Sequence, residues 1–274
     1  MMRFFTLLSA FLLAALPYTL LAAKNENCQK SIVGCLKTTE ESALNIFEPM
    51  YLIAGGEYSK DIKARFQFSF KYKLFDRDSS LINSAPWLDS FHLSYTQTSL
   101  WNWSEDSLPF EDTSYKPSFY FTSDKNSVYD LMAFGYTHES NGQAGAVSRS
   151  MDALFIQPVW NIPLGNSSLT LFPRFLYYFR KGNFNEDLAD YRGYMDLNLR
   201  YGNEDSWGIN TLYRQGKPGK YSLQVDLTYP IRTPISVRTG GFLYIQYFQG
   251  YGESMLSYDQ EVGPILRVGL GIVR

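Results

Sequence analysis

The sequence predicts an all-β chain, and within that class a twelve-stranded antiparallel transmembrane β-barrel. Three observations lead there. The 274 residues are 45% hydrophobic and 17% aromatic, with 21 Tyr and 20 Phe, a composition that favours strands. Past the N-terminus no apolar run is long enough to cross a bilayer as a helix. Strict period-two alternation recurs instead, with an aromatic or aliphatic face against a polar or charged one. Soluble sheets alternate too, but runs of about 9–11 residues with these two faces suit a membrane barrel with a polar lumen. Net charge is −2, from 25 Lys+Arg against 27 Asp+Glu. That leaves nothing to neutralise a row of phosphates, and no nucleic-acid partner is expected.

Taken in order, residues 1–23 read as a secretory signal peptide: Arg3 is followed by the apolar stretch 4–16 and small residues at Ala22 and Ala23. Residues 24–50 form a periplasmic lead-in segment, in which Cys28 and Cys35 close a small loop in an oxidising compartment. Residues 51–274 form the barrel domain. In 65–75, Phe66, Phe68, Phe70, Tyr72 and Leu74 share one face, and Gln67, Ser69, Lys71 and Lys73 the other. Leu197, Leu199 and Tyr201 oppose Asp196, Asn198 and Arg200. Leu223, Val225, Leu227 and Tyr229 oppose Gln224, Asp226 and Thr228, and Val268, Leu270 and Ile272 alternate with glycines. Twelve strands are expected at 51–58, 65–75, 88–100, 115–124, 128–140, 152–160, 168–179, 191–201, 206–215, 221–230, 235–248 and 262–273. An even number closes a barrel with both termini at the periplasmic end. The polar connections 101–114, 141–151 and 180–190 then share the extracellular end. Signal and barrel together place the mature chain in the outer membrane of a Gram-negative envelope.

Chemistry concentrates in Gly135–Asp152, GYTHESNGQAGAVSRSMD. His138 and Ser140 are two apart on a strand, so their side chains leave the same face. A hairpin centred on Gly145 sets Asp152 directly opposite His138, within side-chain reach. Nucleophile Ser140, base His138 and orienting acid Asp152 then form a hydrolase triad on one patch. Phe134 and Tyr136 share the parity of His138; Leu154, Ile156 and Trp160 share that of Asp152. The triad is therefore expected on the lipid-facing side, where an enzyme attacking membrane esters needs it and where ionisable groups are otherwise costly.

HESNG (138–142) followed by SRS (148–150) resembles the outer-membrane phospholipase A family. SYTQTSLW (94–101), SEDSLPFEDTSYKP (104–117) and GYGES (250–254) resemble it as well. The resemblance implies calcium-dependent hydrolysis of glycerophospholipid acyl esters at sn-1 and sn-2, that is, phospholipase A1 and A2 activity, and a homodimer when active. It assigns Ser140 as nucleophile and His138 as base. Asp152 falls where the best-known members carry Asn. The Gly142 backbone N–H would hold the oxyanion. The implied calcium ligands are the Ser148 hydroxyl, the Gln143 carbonyl and, from the partner chain, Ser107. Glu186 is the nearest carboxylate for a further ligand, although one alignment puts Phe184 there.

His92 has the parity of the lumen, so a structural role is expected; Trp87, Trp101 and Trp103 fall near strand ends, as in aromatic girdles. The competing reading is a non-enzymatic barrel, a small porin or adhesin. A lumen in which Lys71, Arg200 and Asp226 find partners would disfavour a pore. A secreted soluble β protein is a third reading, defeated by outward bands of aromatic residues.

Overall fold

A computed structural model describes residues 43–57, 61–75, 79–123, 126–203, 205–231 and 241–273. The expected signal peptide, Cys28 and Cys35 lie outside the described residues. The strands are β1 (Leu44–Ile46), β2 (Met50–Glu57), β3 (Lys63–Lys73), β4 (Phe91–Asn102), β5 (Phe110–Ser123), β6 (Leu131–Ser140) and β7 (Ser150–Leu164). They continue as β8 (Ser167–Leu171), β9 (Arg174–Lys181), β10 (Met195–Gly202), β11 (Gly208–Gln215), β12 (Tyr221–Pro230), β13 (Phe242–Tyr251) and β14 (Glu261–Val273). Each pairs antiparallel with its neighbours. The ring closes because β2 pairs with β14 and β3 with β4.

The fourteen strands make twelve staves. β8 and β9 are two halves of one stave, each pairing with β7 and β10. The single strand expected over 168–179 is interrupted at Phe172 and Pro173, since proline has no N–H to give the ladder. β1 runs along the edge of β3 that β2 also uses, so it continues the first stave. Several expected strands start later than their sequences indicated, two of them behind a helical turn. Residues 86–90 turn as a 3-10 helix ahead of β4, and a short helix, Leu188–Arg192, precedes β10.

The alternation falls as expected. Outward residues are exposed, among them Phe68 at 50%, Leu154 at 51% and Leu270 at 60%, while Lys71, Asp226 and Arg267 are at 5% or less. With no edge strand left over, every wall residue faces either the apolar outside or the interior. Trp87 and Trp103 are exposed near strand ends. His92 is buried, stacked on Tyr120 at 5.2 Å, with Nδ1 2.8 Å from the Ser90 carbonyl.

Two kinds of packing line the interior. Behind β6 and β7 an apolar cluster forms from Tyr120, Ala133, Met151, Ala153, Phe155, Leu176, Leu188, Met255 and Tyr258. Phe47 turns in from the break between β1 and β2 and stacks on Tyr120 at 5.6 Å. Elsewhere ion pairs line the lumen: Lys116–Glu48 at 2.8 Å, Arg192–Glu139 at 2.8 Å, Arg214–Asp196 at 2.6 Å, and Arg267 with Glu253. Asp226 accepts from Gln224 and Gln246, each at 2.9 Å. Lys71 Nζ, by contrast, has no hydrogen-bond partner among the described residues. Burial alone would lower the pKa of Arg192, but the carboxylates of Glu139 and Asp196 overcome it and hold the guanidinium well above its usual range.

Removing one member of a buried pair strands the other charge. Arg192→Ala is expected to destabilise the barrel by about 3–5 kcal/mol, read as a lower melting temperature of the folded band on gels. Arg192→Ala combined with Glu139→Gln should recover much of that loss.

Candidate active site

The loops 103–109, 141–149, 182–194, 216–220 and 252–260 all leave the same end of the barrel. At that end β6 and β7 pair with His138 opposite Asp152 and Ser140 opposite Ser150, the register expected for a turn centred on Gly145. The outward parity also holds. Thr137, Glu139, Met151 and Ala153 are buried inside, whereas Phe134, Leu154 and Ile156 are exposed outside. His138, Ser140 and Asp152 are half-buried on that outer face.

His138 Nδ1 lies 2.8 Å from Asp152 Oδ1. An ionised carboxylate only accepts, so the Nδ1 proton faces Asp152, and in the neutral imidazole this leaves the lone pair on Nε2. The same Oδ1 accepts from the Tyr136 hydroxyl at 2.6 Å. Arg180 Nε lies 3.9 Å from Oδ2, and its side chain is 80% exposed. Ser140, two residues along the face from His138, makes no hydrogen bond through its hydroxyl among the described residues. It lies between Tyr115 on β5 and Ser150 on β7. Catalytic hydrogen bonds commonly tighten only when substrate is bound.

The loop after Ser140 is held by Asn141, which is 1% exposed. Its Nδ2 donates to the Val147 carbonyl at 2.8 Å, and its Oδ1 accepts from Arg149 N at 2.9 Å. Gly142 follows at φ +66, a conformation that suits glycine, and an added Cβ would meet the Tyr115 ring at 2.9 Å. Asn185, fully buried, makes a second clamp: Oδ1 accepts from Ser150 N at 3.2 Å and Nδ2 donates to Ser150 O at 2.9 Å. Neither asparagine is among the residues singled out from the sequence. Asn141 lies within the HESNG stretch and serves its own loop, whereas Asn185 acts on backbone 35 residues away that only folding brings near.

The expected metal-binding residues are placed less compactly. Gln143 and Ser148 share the 141–149 loop, Gln143 exposed and Ser148 half-buried. Glu186 is exposed and next to the clamped Asn185; its backbone carbonyl accepts from Lys181 Nζ. Ser107 is exposed on the 103–109 loop, separate from the others. Ser107 and Leu108 adopt φ +67 and +47, left-handed conformations that are costly for residues other than glycine and that cluster at functional sites. Among the described residues no three His, Cys, Asp or Glu side chains converge as a metal cluster.

A family model described as phospholipase A1 matches residues 36–273. A putative phospholipase A1 of Neisseria meningitidis is 29% identical over 230 residues, 78% of this chain and 55% of that protein. The phospholipase A1 of Proteus vulgaris is 29% identical over 226 residues, 77% of this chain and 69% of that one. That of Escherichia coli K12 is 31% identical over 192 residues, 66% of this chain and 60% of that one. The matches thus span between just over half and about two thirds of these relatives' length. Among solved structures, the dimeric outer membrane phospholipase of Salmonella typhi with bound calcium superposes with a TM-score of 0.72 at 22% identity, over 90% of this chain and 98% of that one. Outer membrane phospholipase A from Escherichia coli gives a TM-score of 0.69 at 23% identity, over 89% and 96%. At such identities the likeness establishes the fold.

Asn141→Ala should release the loop and leave the barrel intact. Losing this buried acceptor costs about 1–3 kcal/mol locally, so the Arg149 amide should exchange roughly 10–100 times faster with an unchanged melting temperature. An unchanged exchange rate would remove Asn141 from its clamping role.

Proposed function

Because the chain belongs to the phospholipase A1 family, we propose that it is an outer-membrane phospholipase that hydrolyses glycerophospholipid acyl esters at sn-1 and sn-2, with Ser140, His138 and Asp152 as its triad. The supporting observation is the polar cluster on the outer wall: an imidazole 2.8 Å from a carboxylate, with a serine two residues away on the same face. A channel would have no use for these groups outside its lumen. A lipid ester can reach them without leaving the membrane. In the same reading residues 1–23 direct export and are removed, 24–50 lead in from the periplasm and join the wall at their end through β1 and Met50, and 51–274 form the membrane domain.

His138 Nε2 takes the proton of the Ser140 hydroxyl as Oγ attacks the ester carbonyl. Asp152 keeps the imidazole in the tautomer that can do this and stabilises the imidazolium that forms. The Gly142 N–H is the oxyanion donor, presented by a loop that Asn141 fixes beforehand, so little reorganisation is needed as charge develops. His138 then returns its proton to the leaving alcohol. Water attacks the acyl-Ser140 ester, with His138 again as base, and releases the fatty acid.

The donor set suits calcium. The Ser148 hydroxyl and Gln143 carbonyl would be hard oxygen ligands on the loop that carries Gly142, but two from one chain fall short of the six to eight that calcium takes. Ser107 of a second copy and the Glu186 carboxylate would add to them, which makes the active species a homodimer. Bound there, calcium would place positive charge near the developing oxyanion. The outer membrane phospholipase of Salmonella typhi, a dimer with bound calcium, supports this reading.

In detergent with calcium, Ser140→Ala is expected to abolish fatty-acid release while the folded band on gels is retained. Chelation should silence the wild type reversibly. Full activity in Ser140→Ala would sink the serine mechanism, and a wild type without hydrolysis would favour a non-enzymatic barrel.

A further inference from the structure

The outer wall carries two more polar groups that the triad alone does not explain. Tyr136 reads from sequence as one more lipid-facing aromatic residue, and Arg180 as a charge at a strand end. We propose that Tyr136 and Arg180 are positioning residues that hold the Asp152 carboxylate, ionised and in one orientation, against His138; this rests on the serine-hydrolase reading above.

Tyr136 fixes one oxygen. Its hydroxyl and His138 Nδ1 both reach Asp152 Oδ1, at 2.6 and 2.8 Å. Its ring is packed from both sides, against Phe119 at 4.9 Å and Phe179 at 6.1 Å. A carboxylate held by two donors on one oxygen cannot swing away without breaking both bonds.

Arg180 reaches the other oxygen through an irregularity in the sheet. Along β9, Phe175, Tyr177 and Phe179 are exposed, whereas Leu176 is buried and Tyr178 half-buried. Unbroken alternation would send Arg180 inward. Instead the register between β7 and β9 shifts: Asp152 pairs with Arg180 and Ala153 with Tyr178, leaving Phe179 as the extra residue. Such a bulge re-aims the side chains that follow it. Here Phe179 and Arg180 are both directed outward, and Arg180 Nε comes within 3.9 Å of Asp152 Oδ2. An isolated carboxylate at a lipid boundary is costly. A guanidinium beside it lets Asp stand where the family resemblance has Asn. The other ionisable groups on these strands point elsewhere or stay at a distance. Glu139 faces inward to Arg192, Lys181 donates to the Glu186 carbonyl, and Tyr115 on β5 aligns with Ser140.

The test uses the full-length protein in detergent with calcium and a micellar acyl ester carrying no phosphate, so a headgroup contact cannot contribute. Tyr136→Phe is expected to lower kcat about tenfold with KM within about twofold. Arg180→Gln should lower kcat by about three- to fivefold, and Arg180→Lys should restore most of it. In an Asp152→Asn background, where there is no charge to balance, Arg180→Gln should change kcat by less than about twofold. Wild-type kcat in both single variants, or an equal loss from Arg180→Gln in both backgrounds, would overturn the proposal. The downfield proton resonance of His138 Nδ1–H gives a readout independent of turnover. It should move in Tyr136→Phe and Arg180→Gln, and an unmoved signal in both counts against positioning. A wild type that hydrolyses nothing would end the hydrolase reading, while this resonance still decides whether the two residues act on the Asp152–His138 pair.

Discussion

A slip of one residue between β6 and β7 would carry the whole site to the wrong side of the wall. Side chains alternate along a strand, so register decides face as well as partner. The pairing of His138 with Asp152 and of Ser140 with Ser150 is set by the turn through Gly145. It is reinforced from both faces: outside, exposed Phe134, Leu154 and Ile156 require the same register; inside, buried Ala133, Met151, Ala153 and Phe155 do. Moving the register would expose the inner cluster and bury charge among the outer aromatic residues, so the His138–Asp152 pairing inherits its fixity from the hydrophobic pattern around it.

The closed wall gives the site a stiff support. Behind the hairpin, the inner cluster reaches across to Leu188 in the short helix and to Met255 and Tyr258 in the loop after β13. Farther around the interior, ion pairs replace apolar contacts, with Arg192 joining Glu139 on β6 and Arg214 joining Asp196 on β10. The hairpin is thus packed on one side and left open to the membrane on the other. A rigid inner layer of this kind is what holds an exposed constellation in productive geometry. The asparagine clamps extend that support to the loop carrying Gly142.

Much of the site was legible before folding. Two-residue spacing gave His138 and Ser140 one face, and a glycine-containing turn gave Asp152 its partner. Parity with Phe134 and Leu154 predicted an outward patch, and the structure has it. Other parts followed from interactions that local sequence does not encode. The interruption at Pro173 could have been foreseen, since proline cannot donate to a ladder. The bulge that turns Arg180 outward could not, because strict alternation predicts the opposite face. Asn141 and Asn185 serve backbone atoms up to 35 residues away, a service composition and periodicity do not reveal.

By itself the sequence determined the two faces of the strands wherever alternation is unbroken, because a period of two and the cost of burying unpaired polar groups leave few other ways to fold such strands. It also determined that one histidine, one serine and one carboxylate share an outer patch. Only the tertiary structure decided how that carboxylate is held, since the Tyr136 hydroxyl bonds it within the β6–β7 hairpin and the Arg180 guanidinium reaches it from β9 only because the ladder shifts at Phe179. Alternation along a strand is a local property of the chain; where that alternation breaks is decided by how neighbouring strands pair.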